Sequence, residues 1–209
     1  MRYWLDTEFA EDGHLIHLIS IGIVCEDGRE MYCEVAGFDW SLANLWVREN
    51  VRPNMWARGS PIEQIEVWDK FEAGGGVGGL MDREGIVREM VRFCDPKQHG
   101  RPEFWGYYAD YDWVVLCQLF GAMVELPGGW PMYCRDIKQL CDDLGNPRLP
   151  PQGKGEHSAI FDARWNKLAW DWLREYEGSD EHLKRVPHVG DPHLSCYAAD
   201  RGAAARGER

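Results

Sequence analysis

Residues 2–36 constrain the fold most. Three apolar runs, "RYWLDTEF" (2–9), "HLIHLISIGIVC" (14–25) and "REMYCEVA" (29–36), are separated by the turn signal "EDG" at 11–13 and again at 26–28. Their content of Val, Ile and Tyr favours extended backbone. Turns this short can only join antiparallel neighbours, because a parallel return needs a crossover of a dozen or more residues. The chain therefore begins as a three-stranded meander. "DWSLANLWVREN" (39–50) reads as a helix capped by Asp39 or Ser41. Residues 51–81 are less regular: "RPNMWARGSP" breaks structure, 62–72 reads as a short amphipathic helix, and "GGGVGG" (74–79) reads as a flexible loop. "DREGIVREMVRFC" (82–94) sets Ile86, Met90 and Phe93 on one helical face.

The remainder alternates strand and helix. A strand over 103–108 precedes a helix over 110–123, and a short strand over 130–136 precedes a helix over 136–145 that Asp136 caps and Gly145 closes. A loop with three prolines (146–157) leads into a long amphipathic helix over 158–176, and the chain turns polar from Gly178. The expected architecture is one α/β domain over 1–177, followed by a polar, poorly packed tail over 178–209. Its mixed central sheet has three antiparallel strands and then parallel ones, with helices on both faces.

Two acids close the first strand. Asp6 and Glu8 are two residues apart, so they share one face of a strand, where like charges repel and burial is costly. Either the strand end is solvated or a cation lies between them. Alone, Asp-x-Glu is a weak signal. Its weight rises because Asp112 follows the strand at 103–108, His157 ends the proline-rich loop and Asp162 opens the last helix. All lie near element ends, where α/β sheets place their sites. Four converging carboxylates suit a cage for two hard divalent cations, with Mg2+ the expected occupant and a neutral histidine as proton acceptor.

Asp110 competes with Asp112, since it could equally cap the helix. His157 by itself would be an ordinary loop histidine. "LDTE" lacks the glycine of an aspartic protease motif and the second aspartate of an aspartyl phosphatase, and no Gly-x-Ser-x-Gly elbow occurs.

The net charge of −12 excludes a broad basic face that coats nucleic acid. Seven cysteines without a Cys-x-x-Cys pair exclude a zinc cage or a secreted disulfide scaffold. No run approaches a membrane span, and the N-terminus lacks a signal-peptide pattern, so the expectation is a soluble, cytoplasmic protein with no membrane partner.

"LDTEF", "YYADYDWVVL" and "EHSAIFDA" resemble, in order and spacing, the three motifs of the DEDD exonuclease superfamily, and His157-x4-Asp162 resembles its branch with a catalytic histidine. A closer likeness, through "DTEFAEDGHLIHLISIGIV", "YDWVVLCQL" and "NPRLPP", is to the actinobacterial polyadenylate-specific exoribonucleases (RNase AS), over Met1 to about Trp170. This resemblance implies a ribonuclease-H-like fold and hydrolysis of single-stranded RNA from a free 3′ end to 5′-nucleoside monophosphates, with adenylate-rich ends favoured. It implies that Asp6, Glu8 and Asp162 bind one Mg2+, that Asp6 and Asp112 serve a second (Mn2+ able to substitute), and that His157 is the general base. It also implies a homodimer. The alternatives are a single-strand DNA or short-oligonucleotide exonuclease and, in another class, an inactive nucleic-acid-binding module.

Substrate contacts are expected at Phe9, against a terminal base, and at Arg148 and Lys154, against phosphate. Phe9 reads equally well as a core residue closing its strand.

Overall fold

The computed structural model describes residues 1–58, 61–153 and 155–179. Six strands among them form one sheet in the order β4 (Gly76–Met81), β3 (Glu30–Val35), β2 (Ile16–Cys25), β1 (Arg2–Glu11), β5 (Glu103–Gly106) and β6 (Arg135–Asp136). The opening meander is present as β1 (Arg2–Glu11), β2 (Ile16–Cys25) and β3 (Glu30–Val35), each antiparallel to the next. β5 (Glu103–Gly106) adds parallel to β1, and the two-residue β6 (Arg135–Asp136) adds parallel to β5. The sheet is thus mixed and the domain is α/β.

Both faces are covered. Along β1, Tyr3 and Leu5 enter one core with Ile21, Ile23, Met31 and Cys33. That core is closed by helices α3 (Arg83–Phe93) and α5 (Asp110–Phe120), with the one-turn α4 (Pro96–His99) between them in the chain, through Ile86, Met90, Phe93, Trp113 and Leu116. Trp4, on the opposite face, packs against α6 (Ile137–Asp143) and α7 (Ala159–Glu177) through Ile137, Cys141, Ala169 and Leu173. The period-2 alternation of β1 and the 3.6 period of the helices thus meet in two apolar layers.

Several local expectations change. The helix expected over 39–50 is confined to α1 (Leu45–Asn50), and its N-cap is Asn44, whose Oδ1 accepts from Val47 N at 2.9 Å. Asp39 instead accepts from Ser41 N at 2.9 Å, which folds 39–41 into a turn and delays the helix. Two short 3-10 turns (Arg52–Asn54 and Trp56–Arg58) follow, and the amphipathic helix is α2 (Pro61–Ala73).

The glycine-rich stretch is a loop only at Gly74 and Gly75, which form a turn. Gly76–Met81 forms β4, parallel to β3. Only glycine serves there: a Cβ on Gly78 would lie 1.8 Å from the Tyr32 carbonyl oxygen, and its φ is +135°. The strand expected over 130–136 shrinks to its last two residues, and the strand over 103–108 ends at Gly106. Asp110 is the first residue of α5 rather than its cap, which is Ala109. Asp136 does cap α6, accepting from Lys138 N and Gln139 N.

The described cysteines are all unpaired thiols: Cys25, Cys33, Cys94, Cys117 and Cys141 are buried and Cys134 is half-buried. No helix among the described residues is long and apolar enough to cross a membrane. Of the expected tail, all from residue 180 lies outside the described residues.

Candidate active site

β1 and β5 pair only as far as Trp4 and Trp105. β5 ends at Gly106 while β1 runs on to Glu11, so the carboxyl end of β1 extends past its parallel neighbour and leaves a crevice there. Asp6 and Glu8 stand on the β1 side of it, and α5 begins just past β5 and carries Asp112. α7 lays its first turn across the sheet from the other direction. That approach depends on Gly22, the cross-strand partner of Asp6. A Cβ there would lie 2.3 Å from the Ala159 carbonyl oxygen, so glycine lets the helix start touch the sheet and sets Asp162 beside Asp6.

One carboxylate oxygen from each of Asp6, Glu8 and Asp162 lies within 4.8 Å of the others. Asp112 joins from the far wall. Its Oδ1 accepts from Thr7 N at 2.8 Å and from Thr7 Oγ1 at 2.5 Å, which ties the start of α5 to β1. Asp162 is held by three donors: Gln152 Nε2 at 2.5 Å, His157 N at 2.9 Å and Ser158 N at 3.2 Å.

None of the four acids has a lysine or arginine in ion-pair contact among the described residues. Burial, followed by the charges of Asp112, Glu8 and Asp162, pushes the Asp6 carboxyl well above its usual range. Burial, followed by Asp162 and Asp112, raises Glu8 to about 8. Burial raises Asp112 to about 6 against the opposing Thr7 hydrogen bonds, and it raises Asp162 against its own donors. Four acids strained this way, with oxygen-only donors, fit hard divalent cations.

The acids open into a cavity of about 400 Å³, whose other walls include Trp46, Val47 and Val51 of the α1 segment, Gln152 and His157. His157 adopts φ +65°, a left-handed conformation costly for a residue with a Cβ. Two contacts hold it there: its N–H bonds to Asp162, and Asn54 Nδ2 donates to the Glu156 carbonyl at 3.1 Å and to that of Asn50 at 2.8 Å. The His157 ring meets the Trp46 ring edge-on, with centroids 4.9 Å apart. The turn just after Asn54 is held by Glu34, whose carboxylate accepts from Trp56 N at 2.5 Å and Ala57 N at 2.9 Å.

Sequence reasoning placed Asp6, Glu8, Asp112, Asp162 and His157 as candidates, and the fold brings all five to this cavity. Phe9 also lines it, half-buried, with its ring 5.8 Å from that of Tyr111. The strand register slips by one between Glu8 and Phe9, leaving Ile19 of β2 unpaired. Such a bulge re-aims side chains locally. Arg148 is exposed and lies outside the cavity wall, and Lys154 lies outside the described residues.

Thr7, Gln152, Trp46, Asn54 and Gly22 escaped the sequence reading. Only Thr7, between the two acids of the motif, carried a positional hint; the others depend on long-range packing.

The family model for the Rv2179c-like 3'-5' exoribonuclease domain matches residues 1–173. The chain is also 40% identical, over 164 residues, to the 3'-5' exoribonuclease Rv2179c of Mycobacterium tuberculosis (strain ATCC 25618 / H37Rv), an alignment covering 78% of this chain and 88% of the relative. The 3'-5' exoribonuclease MT2234.1 of Mycobacterium tuberculosis (strain CDC 1551 / Oshkosh) matches with the same identity and coverage. With the motif acids and histidine lining one cavity inside the matched span, the chain belongs to the Rv2179c-like 3'-5' exoribonuclease family.

Proposed function

We propose that this chain is a divalent-metal-dependent exonuclease that releases 5′-nucleoside monophosphates from the 3′ end of single-stranded RNA, within the DEDD branch that uses a histidine. The observation supporting this reading is the set of four acids, three buried and Asp6 half-buried, with no lysine or arginine paired to them among the described residues, beside His157 in a cavity of one-nucleotide scale. A sheet with β1 at its centre, antiparallel on one side and parallel on the other, suits a ribonuclease-H-like fold.

In this reading Asp6, Glu8 and Asp162 hold one ion, and Asp6 and Asp112 a second, with Mg2+ preferred and Mn2+ able to substitute. Bound there, the two cations supply charge stabilisation for the attacking and leaving oxygens of a phosphodiester. His157, at the cavity wall, accepts the proton of the attacking water. Asp162 orients that histidine from behind through its main-chain N–H. Asp6, shared between both ions, is the least replaceable acid. Phe9 stacks on the terminal base. A preference for adenylate-rich ends and a homodimeric assembly rest on likeness to RNase AS enzymes.

The test uses RNA and DNA oligomers labelled at the 5′ end, with Mg2+ or a chelator, for the native chain and Asp6→Ala. The expected result is an RNA ladder shortening from the 3′ end that chelation and the substitution both abolish. Internal cuts, or cleavage persisting in Asp6→Ala, would sink the mechanism.

A further inference from the structure

We propose that a second cavity, lined by the segments just before and just after α1, is a subsite for an upstream nucleotide of the RNA strand being degraded. The inference rests on the exoribonuclease reading above. The cavity measures about 310 Å³ and is lined by Phe38, Trp40, Met55, Arg52 and Arg58, with Glu34 in its wall.

Its chemistry is that of a nucleotide site. The Trp40 ring meets Phe38 edge-on at 5.1 Å, and the Arg52 guanidinium carbon lies 5.1 Å from the Trp40 ring centroid. An aromatic wall beside a guanidinium takes any base by stacking, without reading its identity. Neither Arg52 nor Arg58 has a carboxylate within ion-pair distance among the described residues. In a chain of net charge −12, two guanidiniums without a carboxylate partner on the wall of one cavity suit a phosphate. The acid in the wall does not oppose this. The Glu34 oxygens are taken up by Tyr32 Oη at 2.7 Å and by the main-chain N–H groups of Trp56 and Ala57, and the residue is 1% exposed.

Continuity with the acid-lined cavity favours the strand itself as occupant. Val47 and Val51 line that cavity and also pack with Phe38, Trp40 and Met55 in one apolar cluster. One apolar cluster thus borders both cavities, and a chain whose 3′ end is among the acids would reach the second by passing over it. This assignment also supplies the phosphate contacts that Arg148, off the cavity wall, does not.

The experiment compares Arg52→Gln, Arg58→Gln and the double variant on a dinucleotide and on an RNA of about 12 nucleotides, with Mg2+, over a range of KCl. Melting temperatures verify folding, and Trp40→Leu provides a second route to the same subsite. The double variant is expected to lose about tenfold in kcat/KM on the long RNA, through KM, with the dinucleotide changed less than about twofold. The salt dependence of long-RNA binding should weaken by about 0.7 in log–log slope per lost phosphate contact. Equal losses on both substrates, or none on either, would overturn the assignment. Adenosine monophosphate is titrated against tryptophan fluorescence in chelator as a further arm. Binding that the double variant abolishes, while its long-RNA KM stays native, would assign the cavity to free nucleotide and overturn the strand reading. A native chain inactive on both RNAs would defeat the exoribonuclease reading itself; an active native chain with unaltered variants would defeat the subsite alone.

Discussion

At the scale of single residues, the site divides between groups that meet the substrate and groups that hold those groups in place. His157 sits in a left-handed conformation that a free loop would leave, so its placement depends on Asp162 and, through Glu156, on Asn54. His157→Ala should lower turnover by about 10²- to 10⁴-fold while calorimetry finds metal binding largely kept. Loss of metal binding would recast His157 as a ligand. Asn54→Ala should lower kcat by about tenfold with little change in KM, since it releases the loop rather than the substrate. A double-mutant cycle separates this from general damage. If Asn54 acts through His157, Asn54→Ala costs almost nothing further in the His157→Ala background; additive losses would show that it acts elsewhere.

At the scale of elements, the decisive contact is between the start of α7 and the middle of β2. Gly22→Ala would drive a methyl group into the Ala159 main chain, which cannot yield as a flexible side chain could. The expected cost is about 1–3 kcal/mol or more, and because the displaced turn carries Asp162, metal affinity should fall with it. A variant with native melting temperature and native metal affinity would contradict this. The same contact shows what was legible in the sequence. Asp6, Glu8, Asp112, His157 and Asp162 were legible because their chemistry is written in residue type and spacing. The meander and the face of α3 were legible because period 2 and the spacing of Ile86, Met90 and Phe93 are local patterns. β4 was not: its glycines look like a loop until Tyr32 is seen pressing on Gly78, a contact between residues far apart in the chain. α1 was overextended because the turn made by Asp39 and the cap made by Asn44 compete for the same helix start, and only the folded backbone decides between them.

At the scale of the whole molecule, the acids make stability and function pull against each other. Without a cation, Asp6, Glu8, Asp112 and Asp162 all hold protons more tightly in the fold than in the unfolded chain, where ordinary carboxylate values apply. Between the ordinary range near 4 and the value of about 8 reached by Glu8, the folded state therefore binds more protons than the unfolded one. Stability must then fall as pH rises through that window, being fully present below it. The metal-free protein should lose about 5 °C or more in melting temperature between pH 5 and pH 8, a shift on the order of 2 kcal/mol for a domain this size. If the acids bind cations as proposed, added Mg2+ or Mn2+ will displace those protons and stabilise by mass action, so its effect on melting should be small at pH 5 and grow toward pH 8. Asp6→Asn removes one of the repelling charges at almost constant shape. In chelator it should melt higher than the native chain at pH 8, match it more closely at pH 5, and gain little from metal. Scanning calorimetry of both proteins at the two pH values, with and without cation, decides the matter. A metal-free native chain that becomes more stable as pH rises from 5 to 8 would mean that these acids are not held against their own charge, and the cation-binding reading would lose its physical ground.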